Sequence, residues 1–281
     1  MKNKTTKRLR FLACAGAVSL LATLSSQAAV ITWGTAQNIT GDSDVSTTGS
    51  LVYAINFGGR ADATNPVAGG SAWGAVSPTI NGVTFLGGDT EDDLRVQSGM
   101  FSTSGATDWT RSDRKGNVAP YTSLSAHYQI LLQSSIQQSA DEATVTDSTF
   151  TLTLEGLTEG NTYQVQIWAN DSNSAWRGQN SVTLAAGGNS VSLDYNVSDT
   201  VGGLGQYVLG SFTATATTQE ITFTSALSDR RAIVNALQLR DLSNIPEPGT
   251  CAIVITSLAG IAAVCLRRRR ERTGRTSANP A

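Results

Sequence analysis

The sequence has 281 residues, and its 20 basic and 22 acidic side chains give a formal net charge of −2. Between Val30 and Asn244, nine basic residues stand against 20 acidic ones, so the net charge of this central part is nine minus 20, or −11. Such a surface repels nucleic acid and anionic lipid, which disfavours a nucleic-acid-binding function. All three cysteines lie outside this part, which therefore contains no disulfide.

Residues 1–28 have the pattern of a secretory signal peptide. Five basic residues occur among the first ten, and a 14-residue apolar stretch, Phe11–Leu24, follows them. Small side chains at Ser26 and Ala28 predict cleavage after Ala28. The apolar stretch is shorter than the roughly 20 residues of a membrane span, which favours a cleaved signal over a retained anchor. The exported domain is therefore predicted to cover residues 29–243.

The first part of this domain has the alternation of β-strands. Leu51, Tyr53, Ile55 and Phe57 are predicted to lie on one face of a strand, and Asn81-Gly82 is predicted to join a second pair of strands. The glycine-rich segment 58–78 between them predicts a long loop.

Two groups of acidic residues are candidates for a structural calcium site, because calcium prefers hard oxygen ligands. One consists of Asp42 and Asp44, and the other of Asp89, Glu91, Asp92 and Asp93. Neither follows the EF-hand spacing, so a solvated acidic loop is the alternative. No other cofactor is predicted, since one histidine and no cysteine cannot build a typical zinc site.

The segment 123–136 is predicted to be the one helix of the domain. Its apolar residues recur at spacings of three and four, without glycine or proline. The only histidine, His127, lies in this pattern and is interpreted as a packing or helix-surface residue. A Ser-His-Asp triad would need this residue, and the sequence has no nucleophile elbow or phosphate-binding loop. Catalysis is therefore not predicted, although paired carboxylates would suffice for a glycosidase.

The remainder of the domain is a series of predicted strands separated by turns. With those above, about ten strands and no internal repeat predict an all-β sandwich with one short helix. Tyr163 opens a strand after the turn 158–161, so its hydroxyl is predicted to bond the upstream backbone as a tyrosine corner. The predicted strands are 150–154, 163–167, 181–184, 191–195, 207–212, 221–224 and 233–239.

The loop that begins at Asn170 and Asp171 and continues to Trp176 and Arg177 is the predicted sugar-contacting surface, with Trp109 in a similar polar loop. An exposed tryptophan stacks on a pyranose face while the polar side chains bond its hydroxyls. The alternative is that each tryptophan plugs an end of the sandwich.

The C-terminal region has the pattern of a membrane anchor. Pro246-Glu247-Pro248 precedes an apolar segment, residues 250–266. The cationic residues that follow predict a cytoplasmic tail at 273–281 and place everything before Pro246 outside. At 17 residues the apolar segment is near the lower limit for a span, which suits a provisional anchor. The cationic residues are Arg267, Arg268, Arg269, Arg270 and Arg272.

Segment 244–272 resembles the PEP-CTERM sorting signal in the order of its three parts. The resemblance implies an exosortase-type sorting enzyme as partner and release of the domain to the cell envelope or exopolysaccharide matrix. Residues 149–239 also resemble galactose-binding-like jelly rolls, in the phrases 163–171, 205–212 and 235–240. This implies a jelly-roll sandwich with a structural or binding role. The alternatives are a carbohydrate-binding module and a polysaccharide-active hydrolase that uses paired carboxylates.

Overall fold

The computed structural model describes seven ranges of the chain, with side chains left out at 106–110 and 138. The predicted signal peptide, the acidic residues 89–93, Trp176, Arg177 and the C-terminal sorting segment all lie outside these ranges. The described ranges are 29–57, 76–88, 101–110, 114–138, 149–173, 181–227 and 231–243.

Seventeen strands and one α-helix, α1 (Ala126–Gln133), make up most of the described chain, together with short 3-10 helices at Asp42–Asp44 and Tyr121–Ser123. The strands in chain order are β1 (Thr32–Trp33), β2 (Gln37–Asn38), β3 (Ser50–Phe57), β4 (Thr79–Ile80), β5 (Val83–Thr84), β6 (Leu86–Gly88), β7 (Phe101–Ser104), β8 (Ala106–Thr110), β9 (Ser135–Gln138), β10 (Thr149–Leu154), β11 (Thr162–Ala169), β12 (Ser181–Ala186), β13 (Asn189–Asp194), β14 (Gln206–Thr213), β15 (Gln219–Ser225), β16 (Ile233–Val234) and β17 (Ala236–Asp241).

Two large sheets form a sandwich. A seven-stranded sheet has the order β1-β14-β11-β17-β3-β6, with β2 also paired to β14, and a five-stranded sheet has the order β13-β12-β15-β10-β7. Two smaller sheets, β16-β9-β8 and β4-β5, lie beside them. Described pairings are antiparallel except that of β3 with β6, which is parallel. The predicted all-β sandwich with one short helix is confirmed at this level.

The main core lies between the two large sheets. Strand β10 contributes alternate residues, so that Phe150, Leu152 and Leu154 are buried while the threonines between them are not. Phe150 stacks on Phe223 with ring centroids 4.7 Å apart, and Phe57 meets Phe101 of the opposite sheet edge-on at 5.9 Å. This period of two is the reason that local sequence alternation predicts these strands.

The second face of the seven-stranded sheet is also covered. Trp168 on this face is fully buried, and its ring meets Phe85 edge-on at 5.5 Å. Its Nε1 donates to the Tyr128 hydroxyl of α1 at 2.9 Å, and that hydroxyl donates to Asp44 Oδ2 at 3.2 Å. Burial raises the pKa of Tyr128 well above its ordinary value, and the nearby Asp44 carboxylate raises it further. The neutral phenol therefore joins α1 to the sheet in a third layer.

Residues 44–49, here called the strap, cross this second face and are held by long polar side chains of the sheet. Gln166 donates to the Asp44 carbonyl at 2.7 Å and accepts from the Ser46 backbone N–H at 2.9 Å. Gln238 donates to the Ser46 carbonyl at 3.0 Å. The Arg240 guanidinium donates to the carbonyls of residues 47, 48 and 49. These bonds supply partners to polar side chains that are buried beneath the strap.

Two of the predicted turns are confirmed by their geometry. Asn81 and Gly82 have φ values of 47° and 76° and join β4 to β5, as expected of an Asn-Gly hairpin. The Tyr163 hydroxyl accepts the Thr158 backbone N–H at 2.9 Å, which is the predicted tyrosine corner. The hairpin of β12 and β13 turns at Gly187 and Gly188, which have φ values of 59° and 88°.

The predicted helix is longer than the observed one. Helix α1 begins after Ser125, whose hydroxyl accepts the Tyr128 N–H at 3.2 Å, and it ends at Gln133. Ile136 continues the apolar pattern because it belongs to β9 and packs in the main core, not because it is helical. The strand count also exceeds the predicted ten, since several strands have only two residues.

The prediction for Leu51 is wrong in one respect. Tyr53, Ile55 and Phe57 face the main core, but Leu51 is 42% exposed. The pairing of β3 with β17 skips Val52, because Leu239 faces Tyr53 and the next residue, Arg240, faces Leu51. This β-bulge reverses the faces at the start of the strand. Val52 packs against the core in its place.

Replacing Tyr163 with Phe removes the tyrosine-corner bond and leaves the Thr158 N–H without its acceptor. We expect the free energy of unfolding to fall by about 1–2 kcal/mol, measured by urea denaturation of the exported domain. Tyr207→Phe is the matched control on a partly exposed tyrosine, with an expected change within about 0.5 kcal/mol. Equal losses in both variants would contradict a structural role for the corner.

Candidate functional site

The topology brings several strand ends together at one end of the sandwich. Strands β3 and β6 end at Phe57 and Gly88, β11 ends at Ala169, and β17 begins at Ala236. Pairing joins these positions in one row, because Trp168 faces Ala236, Ala236 faces Asn56, and Asn56 faces Gly87. We call this the loop end. The opposite end, the terminal end, contains Ser50, Thr162 and Asp241.

Asn170 and Asn235 form a buried amide pair at the loop end, and both are fully buried. The Asn170 backbone N–H donates to Asn235 Oδ1 at 2.6 Å, and Asn235 Nδ2 donates to the carbonyls of Leu132 and Ser134 at 2.9 and 2.8 Å. Asn170 Oδ1 accepts the Gly205 N–H at 2.9 Å. Two side chains thus join the starts of β14 and β17 to the end of α1.

Beside this pair lies a buried ion pair between Arg114 and Asp171. The two side chains are only 7% and 4% exposed, and Arg114 Nη1 lies 2.6 Å from Asp171 Oδ2. Arg114 Nη2 also donates to Gln137 Oε1, and Asp171 Oδ1 accepts the Asn173 N–H at 3.0 Å. Charges at this depth are tolerated only when such partners replace water.

Tyr195 lies close to the Arg114–Asp171 ion pair. Its hydroxyl accepts the Ile233 N–H at 2.9 Å and donates to the Arg231 carbonyl at 3.4 Å. Burial raises the pKa of Tyr195 well above its ordinary value, against smaller lowering effects of the Ile233 bond and the Arg114 charge. The phenol therefore remains protonated and acts as a hydrogen-bonding group of the interior.

The predicted sugar-contacting residues divide into two groups. Asn170 and Asp171 were expected on an exposed loop, but they are 0% and 5% exposed and are bonded to other parts of the chain. Asn170 lies on the second face of β11 beyond Trp168, which is why it is covered. The backbone of Trp109 lies in strand β8 and not in a loop. The structure does not describe the Trp109 side chain. Trp176 and Arg177 are outside the described ranges.

The calcium candidates also divide into two groups. Asp44 accepts the Thr40 hydroxyl and the N–H groups of Thr40 and Gly41, and Asp42 accepts the Ser125 hydroxyl at 2.6 Å. These carboxylates therefore fix the chain before the strap against α1. Asp89, Glu91, Asp92 and Asp93 lie outside the described ranges. Within those ranges, no three His, Cys, Asp or Glu side chains are grouped so as to hold a metal ion.

His127 ties α1 to the β4-β5 hairpin. Its Nδ1 lies 3.0 Å from the Thr79 backbone nitrogen and 2.9 Å from the Thr79 carbonyl oxygen, and the side chain is half-buried. This confirms the interpretation of His127 as a packing and helix-surface residue.

Over the described part of the chain, no helix has both the length and the apolar character needed to cross a membrane.

The outward face of the five-stranded sheet is a second candidate surface. Two adjacent rows across its strands carry hydroxyl and methyl groups without a charge. Thr149 and Thr224 bond each other at 3.0 Å, and Thr183 and Ser192 do so at 2.9 Å. The first row is Ser192, Thr183, Thr224 and Thr149, and the second is Ser190, Ala185, Thr222, Thr151 and Ser104.

Neither a protein-family model nor a curated protein matches the chain. Among solved structures, the chain is similar to a plant receptor-like kinase, FER, at 16% identity and a TM-score of 0.35, over 69% of this chain and 42% of that one. It is also similar to an exo-β-1,3-galactanase from Phanerochaete chrysosporium with galactose, at 15% identity and a TM-score of 0.25, over 56% of this chain and 30% of that one. The chain thus spans less than half of each protein, and this likeness transfers no ligand or activity.

Breaking the ion pair from one side leaves a buried charge without its partner. We expect Arg114→Met and Asp171→Leu each to lower the free energy of unfolding by about 3–5 kcal/mol. The double variant should lose clearly less than the sum of the two, measured by urea denaturation at neutral pH. Asp194→Ala on an exposed acid is the control, with an expected change within about 0.5 kcal/mol. Additive losses would show that the pair has no coupling.

Proposed function

We propose that the chain is an exported protein of the cell surface or extracellular matrix, and that its sandwich has a structural or binding role without catalysis. The observation that carries this proposal is the state of the polar groups at the loop end. Asp171, Asn170 and Asn235 are buried and engaged by protein partners. A glycosidase acid must instead reach the glycosidic oxygen of its substrate. These groups are suited to holding the loop end in one shape.

The proposed route to the surface rests on the two ends of the sequence. The signal peptide 1–28 directs export, and the apolar segment 250–266 with its arginines holds the protein in the membrane. An exosortase-type enzyme then acts near Pro246-Glu247-Pro248 and transfers the domain to the envelope or matrix. The position of the folded core agrees with this division, because Ala29 and Ile31 already belong to the core and strand β17 ends at Asp241.

The proposed partner is a neutral matrix polysaccharide, and the fold we propose is the jelly roll of galactose-binding-like proteins. The net charge of −11 disfavours anionic polymers, whereas the hydroxyl rows of the five-stranded sheet suit a hydrated neutral chain. Trp176 and Arg177 are the residues we propose for stacking and hydrogen bonding. A carbohydrate-binding module is therefore the more specific form of this proposal, and a hydrolase with paired carboxylates is the alternative from another class.

The sorting step is tested by replacing Pro246, Glu247 and Pro248 with alanine in an exosortase-containing host. We expect the unaltered protein to lose its C-terminal segment and leave the membrane fraction, whereas the triple variant remains full-length in the membrane. Fractionation and intact-mass measurement follow both. Glu159→Ala, an exposed change inside the domain, is the control and should be processed normally. Identical processing of the triple variant would refute this use of the motif.

Glycan binding is tested on an array with the purified exported domain, in calcium and again with chelator. We expect saturable binding that Trp176→Ala weakens about 10-fold or more, the scale of one lost stacking contact. Leu51→Ala, exposed at the terminal end, is the control and should bind normally. Loss of binding in chelator would implicate Asp89, Glu91, Asp92 and Asp93, and shortening of the glycan would support the hydrolase. No binding in either condition would leave only the structural role.

A further inference from the structure

Both predicted membrane-linked segments join the sandwich at the terminal end. At the start of the domain, Thr32 pairs with Ser211 near the end of β14, and the Ile31 carbonyl accepts from Asn189 in the β12-β13 turn region at 2.9 Å. At the end of the domain's sequence, β17 finishes at Asp241, which pairs with Tyr163 at the start of β11 and so also lies at the terminal end. The chain thus enters and leaves on the side opposite the Arg114–Asp171 pair.

The exit of the chain is fixed by three hydrogen bonds beyond the last core residues. Leu242 N–H donates to the Thr162 carbonyl at 2.8 Å, and the Thr162 N–H donates to the Ser243 hydroxyl at 2.9 Å. Asn161 Nδ2 donates to Asp241 Oδ2 at 2.9 Å. The folded domain therefore holds the chain up to Ser243.

The distance from Ser243 to the proposed anchor is short. Six residues, 244–249, separate Ser243 from the first residue of the apolar segment. Ser243 and residue 250 are thus seven Cα–Cα steps apart, which span about 25 Å at most when fully extended. About 6 Å of this length is needed to pass the headgroup layer. Roughly 19 Å then remains between the membrane surface and the terminal end.

The height of the sandwich exceeds this reach. Strand β11 runs from the terminal end to the loop end over eight residues, a length of about 26 Å at the usual rise per residue. With the strands upright and the loop end on the membrane, Ser243 would stand about 26 Å above the surface, beyond the roughly 19 Å that the linker allows. Chain length therefore excludes the upright inverted orientation.

The terminal end is acidic. Glu155, Glu159, Glu220 and Asp241 all lie there, on or beside the ends of β10, β11, β15 and β17. Acidic side chains are repelled by an anionic membrane surface, so the short linker, and not charge, keeps this end near the bilayer.

We infer that the anchored protein has a fixed polarity, with the terminal end toward the membrane and the loop end presented outward. This inference rests on the anchor of the proposed function and adds the surface at which a partner is met. The partner is the neutral hydrated polymer of the proposed function, which approaches the loop end from outside the bilayer.

Energy transfer to the membrane surface tests this polarity in the full chain. Cys14, Cys251 and Cys265, the three cysteines of the chain, are replaced with alanine. A single labelling site is then introduced by Glu159→Cys at the terminal end or by Val197→Cys at the loop end, both exposed positions. The proteins are reconstituted in vesicles that carry an acceptor dye on the lipid headgroup. We expect at least about twofold higher transfer from position 159, given the height of about 26 Å.

A variant with about 20 Gly and Ser residues inserted after Ser243 is the matched control. Such an insert adds an average span of about 25 Å, so the difference between the two positions should shrink. Equal transfer in the unextended protein would overturn the polarity while leaving the anchor intact. Failure of the full chain to float with the vesicles would overturn the anchor itself, and with it both proposals.

Discussion

Burial of the seven-stranded sheet on both faces is the constraint on which the rest of the structure depends. Side chains alternate along a strand, so the strands that fill the main core must also supply a second set of residues to the other face. Gln166, Gln238 and Arg240 belong to that second set, and they are buried. Each would cost about 1–3 kcal/mol if it were left without a partner. The strap provides the carbonyl and N–H groups that they need, so its course follows the polar side chains beneath it.

Some buried polar atoms of this sheet are left without a hydrogen bond. Gln238 Oε1, Arg240 Nη1 and Asn56 Oδ1 are buried and make no hydrogen bond. Burial also lowers the pKa of Arg240, although its guanidinium still donates to three carbonyls. The apolar part of the third layer offsets these costs, because Trp168, Tyr128 and their neighbours pack there as a second core. The layer is therefore held by aromatic packing at the loop-end half of the sheet and by polar contacts at the terminal half.

The same alternation explains which elements could be predicted from the sequence and which could not. Strands such as β10 and turns such as Asn81-Gly82 depend on neighbouring residues, so local patterns identify them. The Gln164 and Gln166 positions of β11 alternate with apolar residues, a pattern that is typical of a solvent-exposed face, whereas in the structure this face is covered by the strap and α1. Arg114 lies 57 residues from Asp171, and nothing local to either residue indicates their pairing. Asn170 and Asp171 therefore read as a surface loop, although distant partners bury them.

The loop end combines this long-range pairing with its place in the topology. Segments from four regions of the sequence meet at Asn170, Asn235, Gly205 and Arg114, and each is bonded to another through a buried side chain. A partner that approaches this end meets a base whose shape was set when the domain folded, so binding there does not have to order these groups. Chain entry and exit lie at the opposite end. The rigid base and the two chain ends of the domain are thus kept apart by one feature, the direction in which the central strands run.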